Sequence, residues 1–228
     1  MNTENEPKKT GNSMLPRIIS AAVLAPIALG AVYWGGWPYY ALLGLAVIIL
    51  AGEWANMVGK RVGWMALGVV YIGLSMWALW KLRVDPEWGT LTLFWLLFVV
   101  WSADTGGLLF GSALKGPKLA PNVSPNKTWS GFLGGAATSA LVGWGIVWAV
   151  THSAGWEIAA LGAVVSVVSQ MGDLFESFVK RRFGVKDSGT IIPGHGGLFD
   201  RVDGLVAAAL AVALINIALK GNVLAWLL

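Results

Sequence analysis

The sequence predicts an all-α fold, a polytopic transmembrane helical bundle of about seven spanning helices with two polar loops on the cytoplasmic side. Three observations predict it. Charged residues are 12% of the 228 and hydrophobic ones 56%, with a mean hydropathy of +0.67, whereas ordinary soluble domains carry about 25% charged residues. Several apolar stretches approach the roughly 20 residues that cross a bilayer as a helix. Fourteen tryptophans, with Trp34, Trp37, Trp80, Trp88 and Trp156 near the ends of these stretches, suit the membrane–water interface.

Taken in order, residues 1–14 form a polar tail and residues 15–228 a single integral-membrane domain. Spanning segments are expected at 15–34, 38–58, 63–82, 90–112, 130–151, 156–179 and 203–220. The first is apolar behind a basic flank and ends in A-L-G-A, as a signal peptide can, but reads better as an uncleaved helix. The last eight residues, GNVLAWLL, are too short to span and are expected at the interface. With the N-terminus in the cytoplasm, thirteen of the sixteen Lys and Arg residues fall on the inner side and only Lys81, Arg83 and Lys220 on the outer. That bias follows the positive-inside rule and places both long polar loops, 113–129 and 180–202, in the cytoplasm. The net charge of +4 therefore reflects topology and implies no nucleic-acid partner. The absence of cysteine excludes disulfides, thiolate catalysis and cysteine metal sites.

The chemistry concentrates in and beside residues 180–204, KRRFGVKDSGTIIPGHGGLFDRVDG, which hold eight charged residues and six glycines. In the helix that feeds this loop, Asp173, Glu176, Ser177, Lys180 and Arg181 fall at i, i+3, i+4, i+7 and i+8 and share one face. Lys180 to Arg182 also read as an inner-side anchor, with Glu176 as their ion-pair partner. Asp173 lies deeper, behind Gly172, where a carboxylate carries a cost that topology does not explain. Asp200 and Asp203 flank Arg201 at the start of the last long helix. Either aspartate can cap that helix. Asp173 and Asp200, brought together by the loop, can also supply carboxylate oxygens to a hard cation such as Mg²⁺. The P-G-H-G-G run lets backbone N–H groups turn toward an anion, and His195 can donate to phosphate or hold the loop. Asp104 sits at a costly position in an apolar run, and Lys127, with Ser124 and Thr128 beside it, adds a cation and hydroxyls from the other polar loop. No Walker loop occurs.

These residues carry a resemblance. The run S-F-V-K-R-R-F-G-V-K-D-S-G-T-I-I-P-G-H-G-G-L-F-D-R-V-D, from Ser177 to Asp203, resembles the signature of phosphatidate cytidylyltransferases (CDP-diacylglycerol synthases). Q-M-G-D-L-F-E-S and L-A-P-N-V-S-P-N-K-T-W resemble the same family, so the likeness covers roughly residues 102–204. The N-terminal half resembles it only through R-I-I-S-A and the Glu53–Trp54 pair. Ser130 stands where an acidic or amide residue commonly follows K-T-W, and Gly107 where a tyrosine often stands.

The resemblance implies transfer of a cytidylyl group from CTP to phosphatidic acid, giving CDP-diacylglycerol and pyrophosphate. It assigns Asp173 and Asp200 to Mg²⁺, and implies a monovalent cation such as K⁺ beside it. Lys180, Lys186 and Arg201 join the two aspartates at the chemistry. Ser177, Arg181, His195, Gly196 and Gly197 become phosphate-binding candidates, Ser124, Lys127 and Thr128 complete the site, and Asp187 and Asp203 hold its basic residues. The expected partners are CTP, phosphatidic acid and the bilayer, with a homodimer left open. The expected location is a bacterial-type inner membrane. A CTP-dependent lipid or polyprenol kinase and, more remotely, an ion-coupled transporter are the alternative readings.

Overall fold

A computed structural model of the chain describes residues 14–192 and 196–228. Among them the seven expected segments are all helical, with ends within four residues of those expected: α1 (Met14–Trp34), α2 (Gly36–Val58), α3 (Val62–Arg83), α4 (Gly89–Leu114), α5 (Trp129–Thr151), α6 (Trp156–Arg182) and α7 (Phe199–Leu219). Six of them, α2 to α7, are long and apolar enough to cross a membrane, and α1 contributes a shorter apolar stretch, Ala22–Trp34. The short helix α8 (Val223–Leu227) follows. One element was not expected. The loop before α5 folds into an antiparallel hairpin of β1 (Lys118–Ala120) and β2 (Ser124–Thr128), with Lys118 opposite Thr128 and Ala120 opposite Ser124. Strands this short show no period-2 pattern, and the proline inside β2 is tolerated on a two-stranded edge.

The helix ends sort into two faces. At one, the Arg61 guanidinium lies 4.7 Å over the Phe183 ring and Trp64 packs edge-on to it, so the α2–α3 turn meets the loop after α6. Arg181 Nε donates to Val123 O at 3.4 Å and ties the hairpin to the same face. At the opposite face Arg83 Nε donates to Val32 O at 2.7 Å, and Asn222 Nδ2 donates to Thr92 Oγ1 at 2.9 Å and to Asp85 Oδ2 at 3.3 Å. These bonds draw the α1–α2 turn and the α8 end to the α3–α4 connection. Between the faces the core is apolar, built on Trp54, Trp95, Phe199, Leu50 and Leu96. Trp54 still satisfies its one donor by bonding Trp64 O at 2.8 Å.

Helices in lipid associate through close packing rather than the hydrophobic effect, so small residues mark the contacts. A Cβ on Gly131 of α5 would stand 2.7 Å from Gly107 O of α4. In α6, a Cβ on Gly172 would stand 2.5 Å from Ala207 Cβ and 2.8 Å from Asp203 O of α7. Gly204 answers from α7, where a Cβ would come 3.1 Å from Ser169 O. Gly172→Val should therefore push α6 from α7, at an overpacking cost of about 1–3 kcal/mol. A lowered melting temperature in detergent is the expected outcome. Gly73→Val, where a Cβ meets nothing within 4 Å, should melt like the parent protein.

Candidate active site

The α6–α7 contact sets the site, because each of its glycines adjoins an acid. Asp173 follows Gly172, and Asp203 precedes Gly204. With Glu176, one turn along α6, these aspartates place three carboxylate oxygens within 4.8 Å of one another. Glu176 is almost fully buried, and its Oε1 has no hydrogen-bond partner. Its Oε2 faces the Lys180 ammonium at 2.9 Å, outside hydrogen-bond geometry. A buried carboxylate oxygen without a donor, beside two further carboxylates, is a donor set of the kind that hard cations take up. This group of acids can hold a metal ion.

Lysines neutralise the acids. Lys180 stands four residues after Glu176 and also donates to Asp200 Oδ1 at 2.6 Å. Lys127, brought in by β2, pairs with Asp173. Ser177 donates to Asp173 Oδ1 at 3.3 Å.

The pairing of Asp173 with Asp200, expected from the sequence, takes a different form here. The partners of Asp173 within the acid group are Glu176 and Asp203, and Asp200 joins them through Lys180. The second oxygen of Asp200 faces the loop. Oδ2 accepts from Ser188 N at 2.9 Å and from Gly197 N at 2.8 Å, and Ser188 Oγ lies 3.0 Å away.

A second carboxylate holds the same loop from the far end of the chain. Glu53 of α2 is buried and accepts from Leu198 N and Phe199 N, both at 2.8 Å. Ser188 Oγ stands 3.2 Å from Glu53 Oε2, so its single proton serves Glu53 or Asp200 at any moment. Glu53 thus caps α7 from outside, where the helix has no side-chain cap of its own. The glycines fit this packing, since a Cβ on Gly197 would stand 2.7 Å from the Glu53 carboxyl. Gly196 has φ of 84°, and its carbonyl accepts from Ile192 N at 2.9 Å to close the loop's tip. His195 lies outside the described residues.

The remaining expected residues divide. Thr128 caps α5, accepting from Gly131 N at 3.1 Å. Lys186, Asp187 and Arg181 are exposed, and Ser124 begins β2 on the same face. A cavity of about 480 Å³ opens between α4, the hairpin, α5 and α6. Its lining includes Asp104, Lys127, Thr128 and Asp173, which gives Asp104 polar neighbours within an otherwise apolar helix. Reading the sequence alone missed Glu53 as a clamp and Glu176 as part of the acid group. The signal for Glu53 was present, a carboxylate deep in an apolar run, but its partners lie up to 146 positions away.

The model of the Cytidylyltransferase family matches residues 58–218. A phosphatidate cytidylyltransferase of Brucella suis biovar 1 (strain 1330) is 49% identical over 168 residues, which cover 74% of this chain and 61% of that protein. The chain thus spans about three fifths of the length of that relative. Phosphatidate cytidylyltransferases of Rickettsia bellii (strain RML369-C) and Rickettsia typhi (strain ATCC VR-144 / Wilmington) are each 33% identical, over 215 and 211 residues, covering 93% and 92% of those proteins.

The Glu53 clamp has a measurable consequence. Hydrogen bonds to a charged group contribute about 1.5–3 kcal/mol each, so Glu53→Ala should release the loop. Trypsin should then cut after Lys186 at least about tenfold faster, as a local opening free energy lowered by 1.4 kcal/mol or more requires. Glu53→Gln, which keeps one acceptor oxygen, should fall between the two. Unchanged cleavage in both variants would show that the loop is held without Glu53.

Proposed function

The chain belongs to the cytidylyltransferase family, and on that premise we propose that it transfers the cytidylyl group of CTP to phosphatidic acid, releasing CDP-diacylglycerol and pyrophosphate. The observation that carries this reading is the position of the acid group. Three carboxylates and two lysines gather where six apolar helices meet the polar loops. A reaction between a lipid and a water-soluble nucleotide needs its site at that boundary. We also propose that residues 15–228 act as one catalytic domain.

In the proposed reaction an anionic phosphate oxygen of phosphatidic acid forms a bond to the α-phosphorus of CTP. The bond from that phosphorus to the oxygen bridging to the β-phosphate breaks, and pyrophosphate leaves with the bonding pair. The attacking oxygen carries no proton, so no nucleophilic side chain or general base is required of the protein. The burden falls on charge and position. Lys127 stands on the wall of the polar cavity, where its ammonium can turn from Asp173 to an incoming phosphate. Lys180 is mostly buried between Glu176 and Asp200 and fixes the geometry of both acids. Lys186, Arg181, Arg201, His195 and the Gly196 backbone are proposed to meet the remaining phosphate charge, with Ser124 and Ser177 as lesser donors. Gly197 is proposed to act through close packing, since its N–H already serves Asp200.

Asp173, Glu176 and Asp203 are proposed to hold Mg²⁺, with Asp200 as an adjoining acid. When bound, the cation neutralises charge on the α-phosphate and the departing pyrophosphate. A monovalent cation such as K⁺ is proposed on the family resemblance alone. We further propose an inner-membrane location with the site facing the cytoplasm, because the basic residues crowd that face.

Two measurements test this reading. The purified protein should release pyrophosphate from CTP only when phosphatidic acid and Mg²⁺ are both present, and Asp173→Asn and Asp203→Asn should each lower that rate at least about a hundredfold, or roughly 2.7 kcal/mol of transition-state stabilisation. Release of CDP in place of pyrophosphate would make the protein a kinase, and no lipid dependence would remove both readings. For sidedness, Thr190→Cys places one thiol on an exposed loop position of a chain with no native cysteine. It should resist an impermeant maleimide in intact cells and react once the cells are opened.

A further inference from the structure

A second cavity, of about 530 Å³, lies between α1, α2, α4 and α7, with α3 closing its far end. Its lining is more apolar than that of the first cavity. Leucine, isoleucine, valine and alanine dominate its lining, and Arg201 alone among the lining residues carries a charge. Tyr39 adds no free polar group there, since its hydroxyl donates to Leu79 O at 2.9 Å. On α2 the lining runs from Tyr39 to Leu50, a length of about 16 Å at 1.5 Å per residue. Long apolar walls that end in one cation suit an amphiphile with a hydrocarbon tail and an anionic head.

We infer that this cavity takes an acyl chain of the phosphatidic acid substrate, with the lipid phosphate at Arg201. The inference rests on the proposed cytidylyl transfer and adds to it the place where the lipid tail lies. Three features support a lipid drawn from the bilayer. Leu24, Ile27 and Leu45 line the cavity and are 41%, 53% and 55% exposed, so the space is open along its α1 and α2 walls. Arg201 directly follows Asp200, which Lys180 joins to the acid group, so an anion held there lies near that group. The polar cavity meets the same group from another side through Asp173. Nucleotide and lipid would then arrive by separate routes, one wet and one apolar, and their phosphates would meet between α6 and α7.

Ala28 and Ala46 both line this space and are only partly buried, so a large side chain at either position would narrow the cavity. Ala28→Trp and Ala46→Trp should each lower pyrophosphate release with dioleoyl phosphatidic acid at least about tenfold. With dioctanoyl phosphatidic acid, whose tails are ten carbons shorter and need less of the cavity, each should stay within about threefold of the parent. Equal rates on both lipids, or equal losses on both, would overturn the inference. The parent protein's lipid-dependent pyrophosphate release judges the proposed reaction separately, so each idea can fail without the other. A variant that does not fold leaves a second measurement. Phosphatidic acid with a diazirine at the end of one chain should, after irradiation of the parent protein, label α1 or α2 between Leu24 and Leu50. Labels confined to the lipid-facing sides of α5 and α6 would place the tail elsewhere and overturn the inference. Equal labelling by a diazirine phosphatidylcholine would make the cavity a general lipid seat and also overturn it.

Discussion

The backbone contact between α6 and α7 is the constraint on which the site depends. Gly172 and Gly204 let the helices approach until a Cβ on either would crowd the other's main chain. Their neighbours Asp173 and Asp203 are thereby forced together, and Glu176 completes the group one turn away. Close packing of small residues is the ordinary way for membrane helices to associate. Here the same contact also sets the spacing of acids that would otherwise repel one another.

Such a group must be neutralised where water is scarce, and the lysines supply the opposite charge. Lys180 is shared between Glu176 and Asp200, and Lys127 reaches Asp173 from the hairpin. The hairpin's position is in turn tied to α6 through Arg181 and Val123. The polar loops are therefore structural partners of the membrane helices. The hairpin brings Lys127 to Asp173, an acid that helix packing alone would leave without a counter-charge, and an uncompensated charge away from water is strongly destabilising.

Much of this was legible in the sequence. Apolar runs of the right length gave the helices α1 to α7, and the Lys and Arg bias sorted the loops to one side. The i, i+3, i+4, i+7 spacing from Asp173 to Lys180 placed those residues on one face, and the motif from Ser177 to Asp203 pointed to the family. What was hidden depends on distance along the chain or on shortness. β1 and β2 have three and five residues, too few to carry a periodic pattern. Thr128, expected at the substrate, lines the first cavity and also caps α5, a second role that a threonine before an apolar run does not reveal until the fold is known. Which acids share the metal-competent group could not be read either, since helix spacing fixes Asp173 and Glu176 but says nothing of whether Asp200 or Asp203 turns toward them. The partners of Glu53 lie 135 to 146 positions later, beyond the reach of any local pattern.

That last separation bears on how the protein is made. Glu53 enters the membrane with α2, while Ser188, Leu198 and Phe199 have yet to be synthesised. At a translation rate of about 5–20 residues per second, the wait lasts on the order of ten seconds. Throughout that interval the nascent chain carries a carboxylate in an apolar helix without the donors that later satisfy it, a state that membrane insertion penalises. The nascent chain therefore holds this side chain without its native partners until the ribosome delivers the last long helix.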